Sequence, residues 1–206
     1  MSRHLIASTL AALLLAGCGT PLTPHGAVTR AAGWKAAGVT MDSGWIAGSV
    51  KRAYRVLDTG DFAGLFTRAS LVSIICHRLD HQGRLLDESK TVFRFWAVMA
   101  ETFPLVEVTQ TADGRQTIDD TPSLIAELPV VSSRRLDPDG LRPPTEVVPL
   151  AIADGIKLAP DGVESTTFKV IYNGPYADPK YPDTDVAHVF SYHNGRIIGR
   201  KDVAAR

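Results

Sequence analysis

Several groups of residues combine reactive side chains with a useful spacing. Leu15-Ala16-Gly17-Cys18 sets a thiol directly after two small residues. Small side chains let a peptidase reach the backbone, and a thiol is the nucleophile that takes a thioether-linked lipid. His188, Phe190 and Tyr192 alternate along one run, so on a strand they share a face, with Val189 and Ser191 on the other. Turned toward a cavity, His188 would act as acid or base and Tyr192 as hydrogen-bond donor. Turned toward solvent or another sheet, the same face is structural. His77 and His81 flank Asp80, but they straddle a turn at Asp80-His81-Gln82-Gly83 and no third ligand stands at a set spacing, so no metal is expected. Arg94, between Phe93 and Phe95, is either solvated or paired with a pocket carboxylate.

The segment that positions the first thiol is short. Arg3 and His4 give a polar start, and Leu5 to Ala16 form a mostly apolar run closed by small residues. This is the layout of a secretory signal, too short to span a bilayer. Gly17, Gly19 and Pro21 would break a core helix at once. The stretch Leu15-Ala16-Gly17-Cys18 resembles the lipobox of bacterial lipoproteins. That resemblance implies a signal peptide over 1–17, cleavage before Cys18, and fatty acyl groups such as palmitate on Cys18. Two acyl chains anchor stably where one does not. Gly19 in place of Asp implies, by the same resemblance, the outer membrane, facing the periplasm.

Composition narrows the remaining classes. Lys and Arg number 22 against 22 for Asp and Glu, giving a net charge of zero. Such a chain has no electrostatic footprint for nucleic acid and no basic run for anionic lipid. Of the two cysteines, the lipobox resemblance implies that Cys18 is taken by lipid, which would leave Cys76 without a disulfide partner. Cys76 closes the apolar run Leu71-Val72-Ser73-Ile74-Ile75 and reads as a buried small hydrophobe. With 45% apolar residues and no disulfide, the core must hold the fold by itself. No Gly-x-Ser-x-Gly, P-loop or dinucleotide fingerprint is present, so no cofactor is implied.

The elements follow from periodicity. Residues 18–42 read as lipidated Cys and flexible tether, rich in Gly and Pro, with Trp34 free to rest on the domain or the membrane interface. Asp42 or Ser43 caps a helix carrying Ile46, Val50, Ala53, Tyr54 and Leu57, which ends at Thr59-Gly60. Asp61 caps a second short helix with Phe62, Leu65 and Phe66. A strand is expected over 69–79. A third helix is expected over 88–103, with Val92, Trp96, Met99, Ala100 and Phe103 on one stripe. Strands are expected at 105–109 and 116–118. Residues 120–163 read as strands or an extended, Pro-rich insertion. A strand at 165–172 follows, and a hairpin turning at Asn194-Gly195 joins 186–192 to 196–203.

This order gives an α+β fold, helices first and a curved antiparallel sheet after. Three patterns resemble the nuclear-transport-factor-two-like superfamily, especially its SnoaL-like branch. They are Tyr54 to Phe66 around Gly60-Asp61, Val92 to Pro104 followed by Leu105-Val106-Glu107-Val108, and His188 to Ile197 around Asn194-Gly195-Arg196. The resemblance implies a single domain over 43–206, a cone-like, cystatin-like roll with an apolar open end. Pocket lining by Trp96, Met99 and Phe190 would follow. It also places Asp202 near the functional carboxylate of SnoaL-like enzymes, although Lys201 stands where an aromatic is usual. The expected function is a non-catalytic, lipid-anchored domain that binds a small apolar ligand or an envelope protein, with a homodimer also in view. The alternative is an isomerase, dehydratase or hydrolase using His188, Tyr192 and Asp202.

Overall fold

The computed structural model describes residues 41–59, 68–98, 105–118, 135–173 and 185–206. Helix α1 (Ser43–Asp58) starts where the sequence places it: Asp42 is extended, and its carboxylate accepts from the Trp45 amide at 2.8 Å. Ile46, Val50, Ala53 and Leu57 form its buried stripe. The chain leaves the helix at Thr59, whose hydroxyl donates to the Arg55 carbonyl at 2.8 Å.

Among the described residues seven antiparallel strands build one sheet: β1 (Arg68–Leu79), β2 (Lys90–Val98), β3 (Leu105–Thr111), β4 (Gln116–Ile118), β5 (Thr167–Asn173), β6 (Val186–His193) and β7 (Arg196–Ala204). Their order is β4-β3-β2-β1-β5-β6-β7. Each neighbour except the β1–β5 pair is also the next strand in sequence. Helix α2 (Pro144–Ala153) lies between β4 and β5 in the chain. The fold is therefore mixed α+β and dominated by its sheet.

Register divides the sheet into two unlike faces. Phe93 and Phe95 of β2 pair with Val108 and Val106 of β3, and Ile74 of β1 pairs with both Phe93 and Tyr172 of β5. This face is fully buried, and both helices pack on it. Tyr54 of α1 meets Phe95 edge-on at 4.9 Å between centroids, while Val147, Val148 and Ala151 of α2 join the same core. A bulge between Leu71 and Ser73 keeps Leu71 on the core side and turns Ser73 to the other. At the bulge the Leu71 amide donates to Tyr54 Oη at 3.0 Å, and its carbonyl accepts from the Leu136 amide at 2.9 Å.

Two expectations are corrected. Residues 90–98 are a strand, not part of a helix over 88–103. Val92 and Trp96 stand four apart, a separation that fits one helix stripe and one strand face equally. The intervening Thr91, Phe93 and Phe95 decide the matter: their β-branched and aromatic side chains alternate onto the core face. Residues 144–153 are a helix, not strands. Pro144 occupies its first turn, where a missing N–H costs nothing, and exposed Pro149 is tolerated on the outer side. The second short helix with Asp61, and residues 99–103 of the third, lie outside the described residues.

Close approach fixes where α2 sits. Gly83, at φ +73, faces Pro144, and a Cβ there would lie 2.0 Å from the Pro144 carbonyl oxygen. Gly199 of β7 lets the chain after α2 pass over the sheet, where Ser191 Oγ donates to the Lys157 carbonyl at 2.6 Å. The closing hairpin turns through Asn194 (φ 50) and Gly195 (φ 73), the positive-φ pair that Asn-Gly supplies.

Candidate functional site on the second sheet face

The face away from the helices carries the chemistry. On β5 the burial alternates, so Phe168, Val170 and Tyr172 enter the core while Lys169 and Ile171 lie half-buried on the second face. On β6 Ala187, Val189 and Ser191 enter the core, and His188, Phe190 and Tyr192 stand on the second face. The face shared by His188, Phe190 and Tyr192 is thus the one without α1 or α2.

The strand register assembles a polar cluster there. His188 lies opposite Asp202, and Phe190 opposite Arg200. His188 Nδ1 lies 2.8 Å from Asp202 Oδ1. Arg200 Nε donates to the same oxygen at 3.1 Å and Nη2 to Oδ2 at 3.3 Å. Arg200 Nη2 also approaches His188 Nδ1 at 3.1 Å. One nitrogen cannot both donate to Asp202 and accept from Arg200. The shorter, charge-assisted contact to Asp202 favours a proton on Nδ1. The Arg200 guanidinium lies 5.6 Å from the centroid of the Phe190 ring, a cation–π distance.

Electrostatics follow from this packing. Desolvation is the largest single influence on Asp202 and pushes its pKa up. The hydrogen bonds and charges of His188 and Arg200 together outweigh it and hold the carboxyl below its usual range. Burial raises the Tyr192 phenol, which stays protonated at neutral pH. No hydrogen bond joins Tyr192 or Lys169 to His188 among the described residues. His188 is an imidazole oriented by Asp202 and Arg200.

Other sequence-named residues fall as follows. Asp202 pairs as a surface carboxylate would, and with the one histidine on its row. Arg94 stands on β2 and donates from Nε to Glu107 Oε1 at 2.6 Å. Trp96 is half-buried on the same face as Phe190, with β1 and β5 between their strands. Cys76 is buried, and desolvation pushes its thiol up to about 12, so it is an inert core residue. His81 Nδ1 lies 3.7 Å from Glu164 Oε1, and no group of metal-binding side chains forms among the described residues. Cys18, Met99 and Asp61 lie outside the described residues.

No protein-family model, curated protein or solved structure matches this chain. Among the described residues no helix is long and apolar enough to cross a membrane.

Sequence reasoning passed over Arg200, Lys169 and Ser73. Arg200 required a second bulge, at Ile198 of β7: the register of the Asn194-Gly195 turn alone would set Lys201 opposite His188 and turn residues 200 and 202 to the other face. Lys169 interrupts the β-rich run Thr166-Thr167-Phe168-Lys169-Val170-Ile171, a charge whose half-buried setting only the sheet reveals. Ser73 required the bulge, which no local pattern announces.

Proposed function

We propose that this chain is a lipid-anchored protein of the bacterial envelope, a signal peptide and acylated Cys18 preceding a binding domain that does not catalyse. The Leu15-Ala16-Gly17-Cys18 stretch supports the anchor, and a position facing the periplasm at the outer membrane follows from Gly19. The domain is read as a SnoaL-like, cone-like roll, with its opening helices packed in the curve of the sheet.

One observation carries the binding role: the two sheet faces are unlike. The helix-covered face is filled by the chain's own side chains, Phe93, Phe95, Phe168 and Tyr172 among them, each fully buried. The other face holds half-buried Trp96, Phe190 and Tyr192 beside organised charge. Aromatic side chains bordered by fixed polar groups are what a recognition surface needs. Binding is therefore assigned to the second face, for a small ligand with an apolar body or an envelope protein.

The test combines location and contact. Cys18→Ser should release the protein from membranes on cell fractionation; a variant that stays bound sinks the anchor. Photoreactive p-benzoylphenylalanine at position 190 of the full chain should form adducts on irradiation in cells, read by mass spectrometry of the 186–196 peptide. An unmodified peptide removes the binding face. The second reading, a SnoaL-like enzyme, draws on the His188–Asp202 pair. A turnover abolished by both His188→Gln and Asp202→Asn would move the assignment there.

A further inference from the structure

We infer that Lys169 is the seat of an anion, and that the ligand of this face is a small carboxylate with an apolar body. The inference rests on the binding role just proposed and names the chemistry of its ligand.

The half-buried charges of the second face pair off, with one left over; Lys90, on the same face at the start of β2, is exposed. Arg94 has Glu107 at 2.6 Å. Arg200 and His188 share Asp202 at 3.1 and 2.8 Å. Lys169 makes no ion pair or hydrogen bond among the described residues. It is half-buried on β5, in register with Phe190 and one same-face position from Ile171. An ammonium taken partly out of water without a counter-ion is unfavourable, and an anion drawn from solution relieves it.

Burial, and to a lesser degree the Arg94 charge, lower the pKa of Lys169. A second unfilled polar group shares the face. Ser73 is 6% exposed, placed on this face by the bulge, in register with Arg94 and with Asn173, four residues along β5 from Lys169, and its hydroxyl has no hydrogen-bond partner among the described residues.

The half-buried surplus is a single positive charge, which matches the one negative charge of a carboxylate. A phosphate dianion would leave one charge uncompensated at a half-buried site. Phe190 and Ile171, the half-buried neighbours of the ammonium, offer apolar surface to the body of the ligand. Charge fixes the head and these side chains hold the rest.

The experiment uses the full chain in a non-ionic detergent with three probes: hexanoate, hexan-1-ol and inorganic phosphate. Acetylation of individual lysines is followed by peptide mass spectrometry, with Lys51, Lys157 and Lys201 as internal controls. Hexanoate should slow acetylation of Lys169 by about tenfold at saturation, as expected for a charge-assisted contact, and leave the controls unchanged. Hexan-1-ol lacks the charge and phosphate lacks the body, so each should protect less. By ligand-observed NMR, Lys169→Met should weaken hexanoate at least about tenfold. Lys169→Arg should retain it.

Unprotected Lys169, or a Met variant that binds hexanoate as tightly as the parent, overturns the inference. Phosphate protecting better than hexanoate overturns the carboxylate class. The position-190 photo-adduct separates the two levels: adducts without hexanoate protection leave the binding face standing and remove only this ligand, whereas loss of both removes the face as well.

Discussion

His188 Nδ1 and Asp202 Oδ1 stand 2.8 Å apart on directly paired positions of β6 and β7. Fourteen residues separate them in the chain, and the Asn194-Gly195 turn together with a one-residue bulge at Ile198 brings them opposite each other. The turn pairs His193 with Arg196 and Tyr192 with Ile197, and the bulge then shifts β7 by one residue, so that Asp202 rather than Lys201 faces His188. Arg200 enters the same cluster by alternation, two positions before Asp202 on the same face.

Asp202→Asn keeps the shape and removes the charge. Because the folded carboxyl titrates below its unfolded value of about 3.9, its stabilisation is fully present above that value. It is lost as pH falls through the lower, folded pKa. Urea denaturation at pH 7 should show the variant weaker by about 1 kcal/mol. The difference from the parent should vanish in strong acid. A gap that stays constant across the acid range would mean that the charge contributes nothing.

Gly83→Ala tests how closely the turn after β1 approaches α2. The added Cβ meets the Pro144 carbonyl oxygen at 2.0 Å and the Thr145 amide nitrogen at 2.6 Å, both backbone atoms that cannot swing away. With the strain of φ +73 added, the loss should be about 2–4 kcal/mol, read from the urea midpoint. Gly114→Ala is the control: φ is +86 but nothing lies within 4 Å, so only the conformational penalty of about 1 kcal/mol remains. Equal losses in the two variants would place α2 elsewhere.

Tyr54→Phe probes the bulge. The ring keeps its edge contact with Phe95, while the buried Leu71 amide loses its acceptor. Stability should fall by about 1–2 kcal/mol, and the Leu71 amide should exchange faster with deuterium. Unchanged protection at Leu71 would show that another group holds this end of β1.

Where local pattern and tertiary demand agree, the chain can be read directly. Asp42 announces the start of α1, Asn194-Gly195 announces the last hairpin, and the alternation around residue 106 announces β3. Where one pattern fits two periods, it cannot. Val92 and Trp96 satisfy helix and strand alike, and the Pro-rich stretch at 143–149 hides a helix because Pro is tolerated in its first turn and on its outer side. Met99 and Cys18, named on sequence grounds, lie outside the described residues.

The sequence by itself determined the class of the fold, the N-cap, the closing turn and hence the sharing of one face by residues 188, 190 and 192. These are nearest-neighbour consequences of backbone sterics and alternation. Only the tertiary structure decided which face that was. Both faces of these strands carry large side chains, and the choice turns on where α1 and α2 bury their apolar stripes, a contest between surfaces distant in sequence. The same packing left Lys169 half-buried without a counter-ion among the described residues, because desolvation is a property of the assembled sheet and not of any run of residues within it.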